Sequence, residues 1–266
     1  MISDFHLHTS FSGDSEAAPE AMVRQAIRLG LPSMCFTDHY DIDYPDEPEL
    51  FLFDIDQYAK TMQNLQEQYK SQIDIRIGIE LGLQKHLSKE CQDIVSSFPF
   101  DFIIGSSHVI NHKDPYYPEF FEGRDEASCY GEYFNSILDN LGAFNDVDVY
   151  GHIDYIVRYG PNKNRHYSYY SYRNIIDEIL VTCIRLGIGL EINTGGLAYG
   201  LGHPNPHPDI LKRYRELGGE IITIGSDAHT PNRIAYEFHQ AGELLKACGF
   251  HYYTIFANRT PSFVKL

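Results

Sequence analysis

Apolar residues along this chain gather in short runs that alternate with longer amphipathic segments. The runs are rich in Ile, Val, Phe and Tyr and show little alternation of apolar and polar positions. That pattern is typical of strands that are covered on both faces. It predicts seven strands and a candidate eighth, at Ile2–Leu7, Ser33–Thr37, Ile73–Leu81, Asp101–Ser106, Val147–Gly151, Ile188–Ile192, Glu220–Gly225 and, as the extra one, His251–Phe256.

The segments between these strands predict helices. From Glu20 to Leu29 the apolar side chains recur at the i, i+3, i+4 spacing of a single helix face. Two of the helices end in "RLG", at Gly30 and Gly187, and glycine directly after a helix is a common C-cap. The predicted helices are Pro19–Leu29, Ile55–Tyr69, Ser88–Ser96, Glu126–Leu141, Ser171–Leu186, Pro208–Glu216 and Ile234–Ala247.

About seven strand–helix units therefore follow one another without a linker. This order predicts an α/β fold in one domain, residues 1–266, and favours a closed barrel over an open doubly wound sheet. No GxGxxG or GxxxxGK[ST] motif is present, so dinucleotide and P-loop phosphate binding lose their main support. The acidic, proline-containing stretch Tyr40–Asp56 is predicted to form a long loop over one rim of the barrel.

Composition restricts the partners and the compartment. The chain has 21 Lys and Arg against 37 Asp and Glu, and the formal net charge of −16 disfavours nucleic acid or an anionic membrane as a partner. No apolar run approaches the roughly 20 residues of a transmembrane helix, and no signal or transit segment is recognisable. The five cysteines are scattered without a CxxC pair, which predicts reduced thiols and a cytoplasmic protein. No feature indicates an oligomeric state.

Titratable side chains stand at the same end of six of the seven predicted strands. The C-terminal ends of barrel strands converge on one rim, where the adjoining loops build the site. Residues i and i+2 of a strand point to the same side, so His6 and His8 are expected to face one point, as are Asp227 and His229. The strand-end residues are His6, His8, His39, Glu80, His108, His152, Asp227 and His229, and Asp14 follows the first strand.

Imidazoles and carboxylates that converge in this way are costly to bury unless a cation compensates them. Zn, Mn and Fe all accept such ligands. A mononuclear catalytic zinc needs three protein ligands, whereas these nine candidates suit two or three divalent metals, with Glu80 able to bridge. Closely spaced metals clamp a phosphoryl group and generate hydroxide at neutral pH.

Each candidate also has a simpler interpretation. A single buried histidine is more often a satisfied core residue than a ligand, but a glutamate within an apolar strand, such as Glu80, is rarely left unpaired. Because six strand ends all carry a titratable side chain, the metal site is the favoured interpretation of the set as a whole. The remaining histidines are predicted to be surface residues of helices and loops: His86, His112, His166, His203, His207, His239 and His251.

These motifs resemble the PHP (polymerase and histidinol phosphatase) superfamily. The matching elements are HLH at 6–8, Asp14, TDH at 37–39, the glutamate of GIELG, GSSH at 105–108, GH at 151–152 and SDAH at 226–229. "DFIIGSSHVI", "GHIDYIVRYG" and "GGEIITIGSDAHT" are similar to the histidinol-phosphatase branch. The resemblance implies a distorted (β/α)7 barrel with a trinuclear metal centre that hydrolyses L-histidinol phosphate to L-histidinol and phosphate in histidine biosynthesis.

The resemblance also implies roles for individual residues. His6, His8, Glu80 and Asp227 are assigned to one metal, Glu80, His108 and His152 to a second, and Asp14, His39 and His229 to a third. Arg158 matches a phosphate-binding arginine, whose planar fork suits bidentate contact. The chain departs from the branch at Ala198, where a second phosphate-binding arginine often stands. Tyr199, His203 or a loop Lys or Arg is expected to substitute.

The expected mechanism is in-line attack of a metal-bridging hydroxide on a small phosphate ester, without a phospho-enzyme. Asp14, His229 or a metal-bound water is expected to protonate the leaving alkoxide. The acidic residues Asp41–Asp56 are either a solvated loop or the binding site for the amine of histidinol phosphate.

Three other functions stay open at this level. One is a PHP phosphoesterase that acts on another small phosphate ester or a nucleotide. The second is a metal-dependent amidohydrolase, which also begins with HxH but often uses a lysine of strand four as the bridging ligand, whereas the bridging candidate here is Glu80 on strand three. The third is a non-catalytic, metal-dependent scaffold, which has little use for so complete a ligand set.

Overall fold

The computed structural model describes all residues, 1–266, and its central feature is a parallel sheet. Seven strands follow the order β1, β2, β4, β5, β6, β7, β8, and a two-residue strand, β3, pairs with β4. Their bounds are β1 Asp4–Leu7, β2 Ser33–Phe36, β3 His39–Tyr40, β4 Asp74–Gly82, β5 Phe102–Ser106, β6 Val149–Tyr150, β7 Gly189–Asn193 and β8 Ile222–Gly225.

The sheet closes on itself between its first and last strands. The amide of Asp227, just past β8, donates to the carbonyl of His6 at 2.9 Å, and the amide of His8 donates to the carbonyl of Ala228 at 3.0 Å. The contact is a single parallel bridge, Leu7 with Ala228, rather than a full ladder. The fold is therefore a nearly closed, distorted (β/α)7 barrel, and the predicted fold class is confirmed.

Helices cover the outside of the sheet. Their bounds are α1 Pro19–Leu29, α2 Ile55–Tyr69, α3 Ser88–Ser97, α4 Glu126–Ala143, α5 Arg173–Leu186, α6 Gly195–Ala198, α7 Pro208–Glu216 and α8 Phe238–Ala247. Helices α1, α2 and α7 have the predicted bounds. They are amphipathic segments that bury one face against the sheet, and this burial stabilises them as helices. The main core lies between the two layers and contains 60 buried residues.

The last helix begins later than predicted. A start at Ile234 is wrong because Ala235 and Glu237 have left-handed backbones, with φ of 54° and 55°, which a continuous helix does not accept. The amide of Ala235 instead donates to the carboxylate of Asp4 at 2.9 Å. A long-range hydrogen bond thus replaces the first turn of the predicted helix.

The candidate eighth strand is a strand but does not extend the barrel. It forms β9, Tyr252–Ala257, and pairs antiparallel with β10, Thr260–Lys265, which was not predicted. This hairpin lies at the N-terminal end of the barrel, where Phe256 of β9 joins Phe5 and Phe102 in a buried apolar cluster of six residues. Apolar side chains therefore fill the barrel interior at the N-terminal ends of the strands, and the interior is polar only at their C-terminal ends.

Glycines leave room in the polar half of the interior. A Cβ on Gly225 of β8 would lie 2.3 Å from Glu191 Oε1 and 2.4 Å from the Cβ of His6. The predicted rim loop, Tyr40–Asp56, packs over this half through its aromatic residues, while its acidic stretch from Asp46 to Glu49 is exposed. Its Tyr44 and Phe51 are buried together with Val109.

Candidate metal centre

Glu80 is the centre of the polar half of the barrel. It lies on β4 and is completely buried. One oxygen, Oε2, lies near His6 Nε2, His8 Nε2 and His39 Nδ1, at 3.1, 3.6 and 2.9 Å. The other, Oε1, lies 3.0 Å from His152 Nε2 and 3.4 Å from His108 Nε2. A single carboxylate thus faces five histidines, which come from four separate segments of the barrel rim.

All nine residues predicted as ligands converge here. The compact donor groups include His6, His8 and Glu80; Glu80, His108 and His152; and His8, His39 and His229. Asp227 Oδ1 lies 3.3 Å from His8 Nε2, and Asp14 Oδ2 lies 3.1 Å from His229 Nε2 and 3.8 Å from His39 Nε2. Asp14 is the outermost member, with 45% of its side chain exposed.

The argument that Asp227 and His229 share one side of a strand is wrong. Strand β8 ends at Gly225, and Asp227 has a left-handed backbone with φ of 58°, a conformation that aspartate tolerates better than most residues. The two side chains converge because the chain turns there, and His229 Nδ1 donates to the Asp227 carbonyl at 3.0 Å. The HxH argument holds, since the His6 and His8 rings lie 5.0 Å apart.

Four histidines are anchored through Nδ1, which leaves Nε2 directed at the centre. His6 Nδ1 lies 2.6 Å from Glu191 and His108 Nδ1 lies 2.8 Å from Asp41. A carboxylate only accepts, so Nδ1 carries the proton in both rings. His8 Nδ1 lies 3.1 Å from the Ser12 hydroxyl, and His229 bonds the Asp227 carbonyl as described. Such outer partners fix the tautomer and the orientation of metal-binding imidazoles.

The remaining polar atoms fit divalent cations. His8 Nε2, His39 Nδ1, His108 Nε2 and His229 Nε2 are buried and have no hydrogen-bond partner. Orphaned buried nitrogens are rare because each one costs free energy. Here they surround the Glu80 and Asp227 carboxylates, and imidazole with carboxylate is a donor set that Zn, Mn and Fe accept.

The pKa shifts describe the same imbalance of charge. Burial alone would raise the pKa of Glu80, but the adjacent His6, His39 and His108 outweigh it and hold that pKa well below its usual range. Burial lowers the pKa of His39, yet Glu80 and Asp14 raise it to about 9. His8 stands between His229 and His39, and burial together with their charges lowers its pKa well below normal. The centre therefore requires positive charge, which divalent cations supply without protonating the rings.

Arg158 lies beside the centre and is 3% exposed. Its guanidinium donates to Asp227 Oδ2, Asn193 Oδ1 and Asn205 Oδ1, each at 2.8 Å. Asn205 is held in turn by the buried carboxylate of Asp154 at 2.6 Å. Arg158 is therefore not a surface residue, and it has a fixed position in the wall of the site.

A cavity of about 680 Å³ opens above these residues. Asp14, His39, His108, Asp227 and His229 line its floor. Its walls are largely tyrosine and phenylalanine from the rim loops, and they include Ala198 and Tyr199. A cavity of this size accommodates a small organic phosphate with its leaving group.

Comparison with known proteins identifies the family. The model of the PHP domain matches residues 4–195. The chain belongs to the PHP domain family. A histidinol-phosphatase of Lactococcus lactis subsp. lactis strain IL1403 is 34% identical over 249 residues, 93% of this chain and 91% of that protein. A probable histidinol-phosphatase of Clostridium acetobutylicum is 34% identical over 248 residues, 93% of this chain and 94% of that protein.

A solved structure agrees with these relatives. The histidinol phosphate phosphatase of Lactococcus lactis, crystallised in complex with zinc, L-histidinol and phosphate, has a TM-score of 0.90 to this chain. It is 32% identical, and the alignment covers 98% of each chain. The resemblance to the histidinol-phosphatase branch of the PHP family is thus confirmed.

Several polar residues that hold this PHP site in place were not among the predicted ones. Glu191 and Asp41 anchor His6 and His108, and Asn205 anchors Arg158. Glu191 stands at a strand end in "EINT", so its place in the chain was a usable signal. Asp41 and Asn205 lie in loops, and nothing local distinguishes them from other polar loop residues.

Other predictions fall outside the centre. His86 and His112 are exposed near Asp43, as predicted. His203 is not a surface residue: it is 9% exposed and its Nδ1 donates to the Pro204 carbonyl at 2.7 Å. Asp41 is also buried, so it does not belong to a solvated loop. None of the helices has the length and hydropathy that crossing a membrane requires.

Proposed function

We propose that this chain is a histidinol-phosphatase, a phosphoric monoester hydrolase that converts L-histidinol phosphate to L-histidinol and phosphate in histidine biosynthesis. The observation that carries the proposal is the match over 98% of the chain, at 32% identity, to an enzyme crystallised with zinc, L-histidinol and phosphate. We further propose that residues 1–266 form one PHP domain, that the protein is cytoplasmic, and that it does not act on nucleic acid. The net charge of −16 supports the last point.

The metal ligands are proposed from the donor groups described above. His6, His8, Glu80 and Asp227 would hold one divalent metal, Glu80, His108 and His152 a second, and Asp14, His39 and His229 a third. The orphaned nitrogens of His8, His39, His108 and His229 support this assignment. Zn, Mn or Fe at these positions supplies Lewis acidity and a nucleophilic hydroxide from water at neutral pH.

The surrounding residues bind and orient the ester. Arg158 keeps a fixed fork beside Asp227, and two of its five N–H groups stay available for phosphate oxygens, since three already donate to protein. The buried Asp154–Asn205 pair prevents the guanidinium from turning away. Asp227 is a proposed metal ligand and also accepts a hydrogen bond from Arg158. It thus links the phosphate-binding guanidinium to the metal centre.

Asp14 and His229 are proposed to handle the proton of the leaving group. They form the exposed side of the centre, where the leaving alkoxide has access to the cavity. Burial would raise the pKa of Asp14, but His39 and His229 outweigh it and lower that pKa. Burial lowers the pKa of His229, and Asp14 more than offsets it, so that this pKa is raised. In the metal-free pair the proton therefore resides on His229 rather than on Asp14, and release of His229 from the third metal would be needed for it to act as the proton donor.

Steady-state kinetics on histidinol phosphate, with metal content measured on the same sample, tests the proposal. Glu80→Gln is expected to reduce kcat/KM by about 10³-fold or more because it removes the bridging carboxylate. Glu67→Gln, on an exposed face of α2, is the matched control and is expected to keep full activity. Higher turnover of a nucleotide or another phosphate ester than of histidinol phosphate would overturn the substrate assignment. Full activity of metal-stripped protein would overturn the mechanism.

A further inference from the structure

Only two residues with a permanent positive charge line the cavity, Arg158 and Arg233. The same cavity carries four carboxylates, from Asp14, Asp41, Asp114 and Asp227. A phosphate monoester brings a further charge of roughly −1.5 to −2 near pH 7. Besides the proposed metals, these two arginines are therefore the only permanent positive charges that the cavity offers to phosphoryl oxygens.

Arg158 is already neutralised by the protein. Its guanidinium donates to the Asp227 carboxylate at 2.8 Å and to two side-chain amides at the same distance. Arg158 is buried, and its positive charge is shared between the Asp227 carboxylate and any phosphate that binds. It can orient phosphate oxygens, but on the rim side, away from the metal ligands, it supplies no unpaired positive charge.

Arg233 differs from Arg158 both in exposure and in pairing. It is exposed, it lines the cavity, and its guanidinium takes part in no ion pair. It ends the short turn Pro231–Arg233, four residues after His229. The guanidinium carbon lies 5.0 Å from the centre of the Tyr236 ring, a contact that limits its conformations while leaving its N–H donors unused. Tyr236 lines the cavity too.

No other wall residue supplies this charge. Ala198 contributes only a methyl group to the cavity wall, and the nearby wall residues Gly195 and Tyr199 bring no positive charge. The cavity contains no lysine. Within the site, Arg233 is thus the one cation without an anionic partner.

We propose that Arg233 is a substrate-binding residue that contacts the phosphoryl group of the ester from the rim and so sets the affinity for phosphate. This inference rests on the proposed function for the identity of the ester, but not for the binding of phosphate itself. Guanidinium is suited to such contacts because its planar fork matches phosphate oxygens. Arg158 and the metals hold the inner oxygens, and Arg233 closes the outer side.

The test uses the metal-loaded protein and inorganic phosphate, the product, as the probe. Arg233→Ala is expected to weaken phosphate binding, measured by calorimetry, about five- to twentyfold, and Arg233→Lys to weaken it less. In turnover, KM for histidinol phosphate should rise by a similar factor while kcat changes less than about twofold, because uniform binding is removed. Arg28→Ala is the matched control: it removes the same charge from an exposed position outside the cavity and is expected to change neither value.

Unchanged phosphate affinity in Arg233→Ala would overturn the inference, as would an equal loss in Arg28→Ala, which would indicate an effect of net charge alone. Unchanged circular dichroism and Tm exclude a folding defect at this exposed position. A wild-type protein that binds phosphate through Arg233 but does not hydrolyse histidinol phosphate would overturn the proposed function and leave the inference intact.

Discussion

At the scale of single residues, several histidines of the centre use one ring nitrogen for an outer hydrogen bond and direct the other at the centre. In His6, His8 and His108, Nδ1 is held by an outer partner and Nε2 faces Glu80. His6 is the clearest case, with Nδ1 at 2.6 Å from Glu191 and Nε2 at 3.1 Å from Glu80. Outer partners of this kind matter because a free imidazole would have to be oriented at the cost of conformational entropy when a metal binds.

Substitution of Glu191 is expected to affect metal binding rather than folding. Glu191→Ala removes the acceptor of His6 Nδ1 and should weaken the affinity for metal about 10- to 100-fold. Glu191→Gln keeps an acceptor and should lose less. Metal content after dialysis against a graded series of chelator concentrations measures the change, with Glu178→Ala on the exposed face of α5 as the control. Equal metal retention in Glu191→Ala and wild type would show that Glu191 does not orient His6.

At the scale of secondary-structure elements, helix ends and the terminal hairpin determine local stability. Helices α1 and α5 end at Gly30 and Gly187, with φ of 71° and 74°. In each case the glycine amide donates back to the last turn of the helix. This left-handed cap explains why both helices stop where the "RLG" stretches predict.

Two glycine-to-alanine substitutions should change the free energy of unfolding in opposite directions. At Gly187 the positive φ disfavours a Cβ, although no atom lies within 4 Å of it, so Gly187→Ala should lower the free energy of unfolding by about 1 kcal/mol. Gly131, inside α4, also has no atom within 4 Å of a Cβ, and Gly131→Ala should raise it by about 0.5–1 kcal/mol. Urea titrations of the two variants measure the difference. A stabilising Gly187→Ala would contradict the cap.

The hairpin β9–β10 is tied to the barrel by a partly buried ion pair that should respond to pH. Arg259 Nε donates to Asp148 Oδ2 at 2.6 Å. Burial raises the pKa of Asp148 from 3.8 to about 6, despite the opposing charge of Arg259. The folded state therefore binds more protons than the unfolded state between these values, and this group's contribution to stability falls as the pH rises from about 4 to about 6.

Removal of the arginine should make that dependence steeper. In Arg259→Ala, Asp148 is neutral at pH 5 but must ionise in the folded state at pH 8 without its partner. The loss of unfolding free energy should be about 1–3 kcal/mol at pH 8 and clearly smaller at pH 5. Chemical denaturation at the two pH values measures both. An equal loss at pH 5 and pH 8 would mean that the Asp148 charge is not involved.

At the scale of the whole molecule, the barrel is stable at one end because it is apolar and at the other end only if its charges are compensated. The lower interior is closed by Phe5, Phe102 and Phe256. The upper interior instead holds buried imidazoles and carboxylates drawn from strands across the entire chain. Metal ions bound there would connect β1, β4 and the segments after β5, β6 and β8, so metal binding should stabilise the whole barrel.

Removal of metal should therefore lower global stability. At a free metal concentration 1,000 times Kd, binding to the folded state contributes about 4 kcal/mol per site, which corresponds to a decrease in Tm of about 10 °C on chelation. Calorimetry of holo and chelated protein measures the shift, and re-addition of metal should restore the holo Tm. Chelator saturated with zinc beforehand is the control. A chelated protein with the holo Tm would indicate that the carboxylates and imidazoles compensate one another without metal.

The sequence by itself determined the architecture and the centre of the site. Buried parallel strands are recognisable locally as continuous apolar runs, and their C-terminal ends must share one rim once the barrel closes. The position of a residue at a strand end was therefore enough to place His6, Glu80 and His152 together. No long-range information was needed, because the regular alternation of strand and helix fixes which ends meet.

Tertiary structure alone decided what lies around that centre. The anchoring of Arg158 by Asn205 and of His108 by Asp41 depends on side chains 47 and 67 residues apart in the chain. Hydrogen bonds of this kind are fixed by packing and leave no periodic signal in the sequence. The same holds for the free guanidinium of Arg233, because an exposed arginine after a turn is distinguished from any other only by the cavity that it faces.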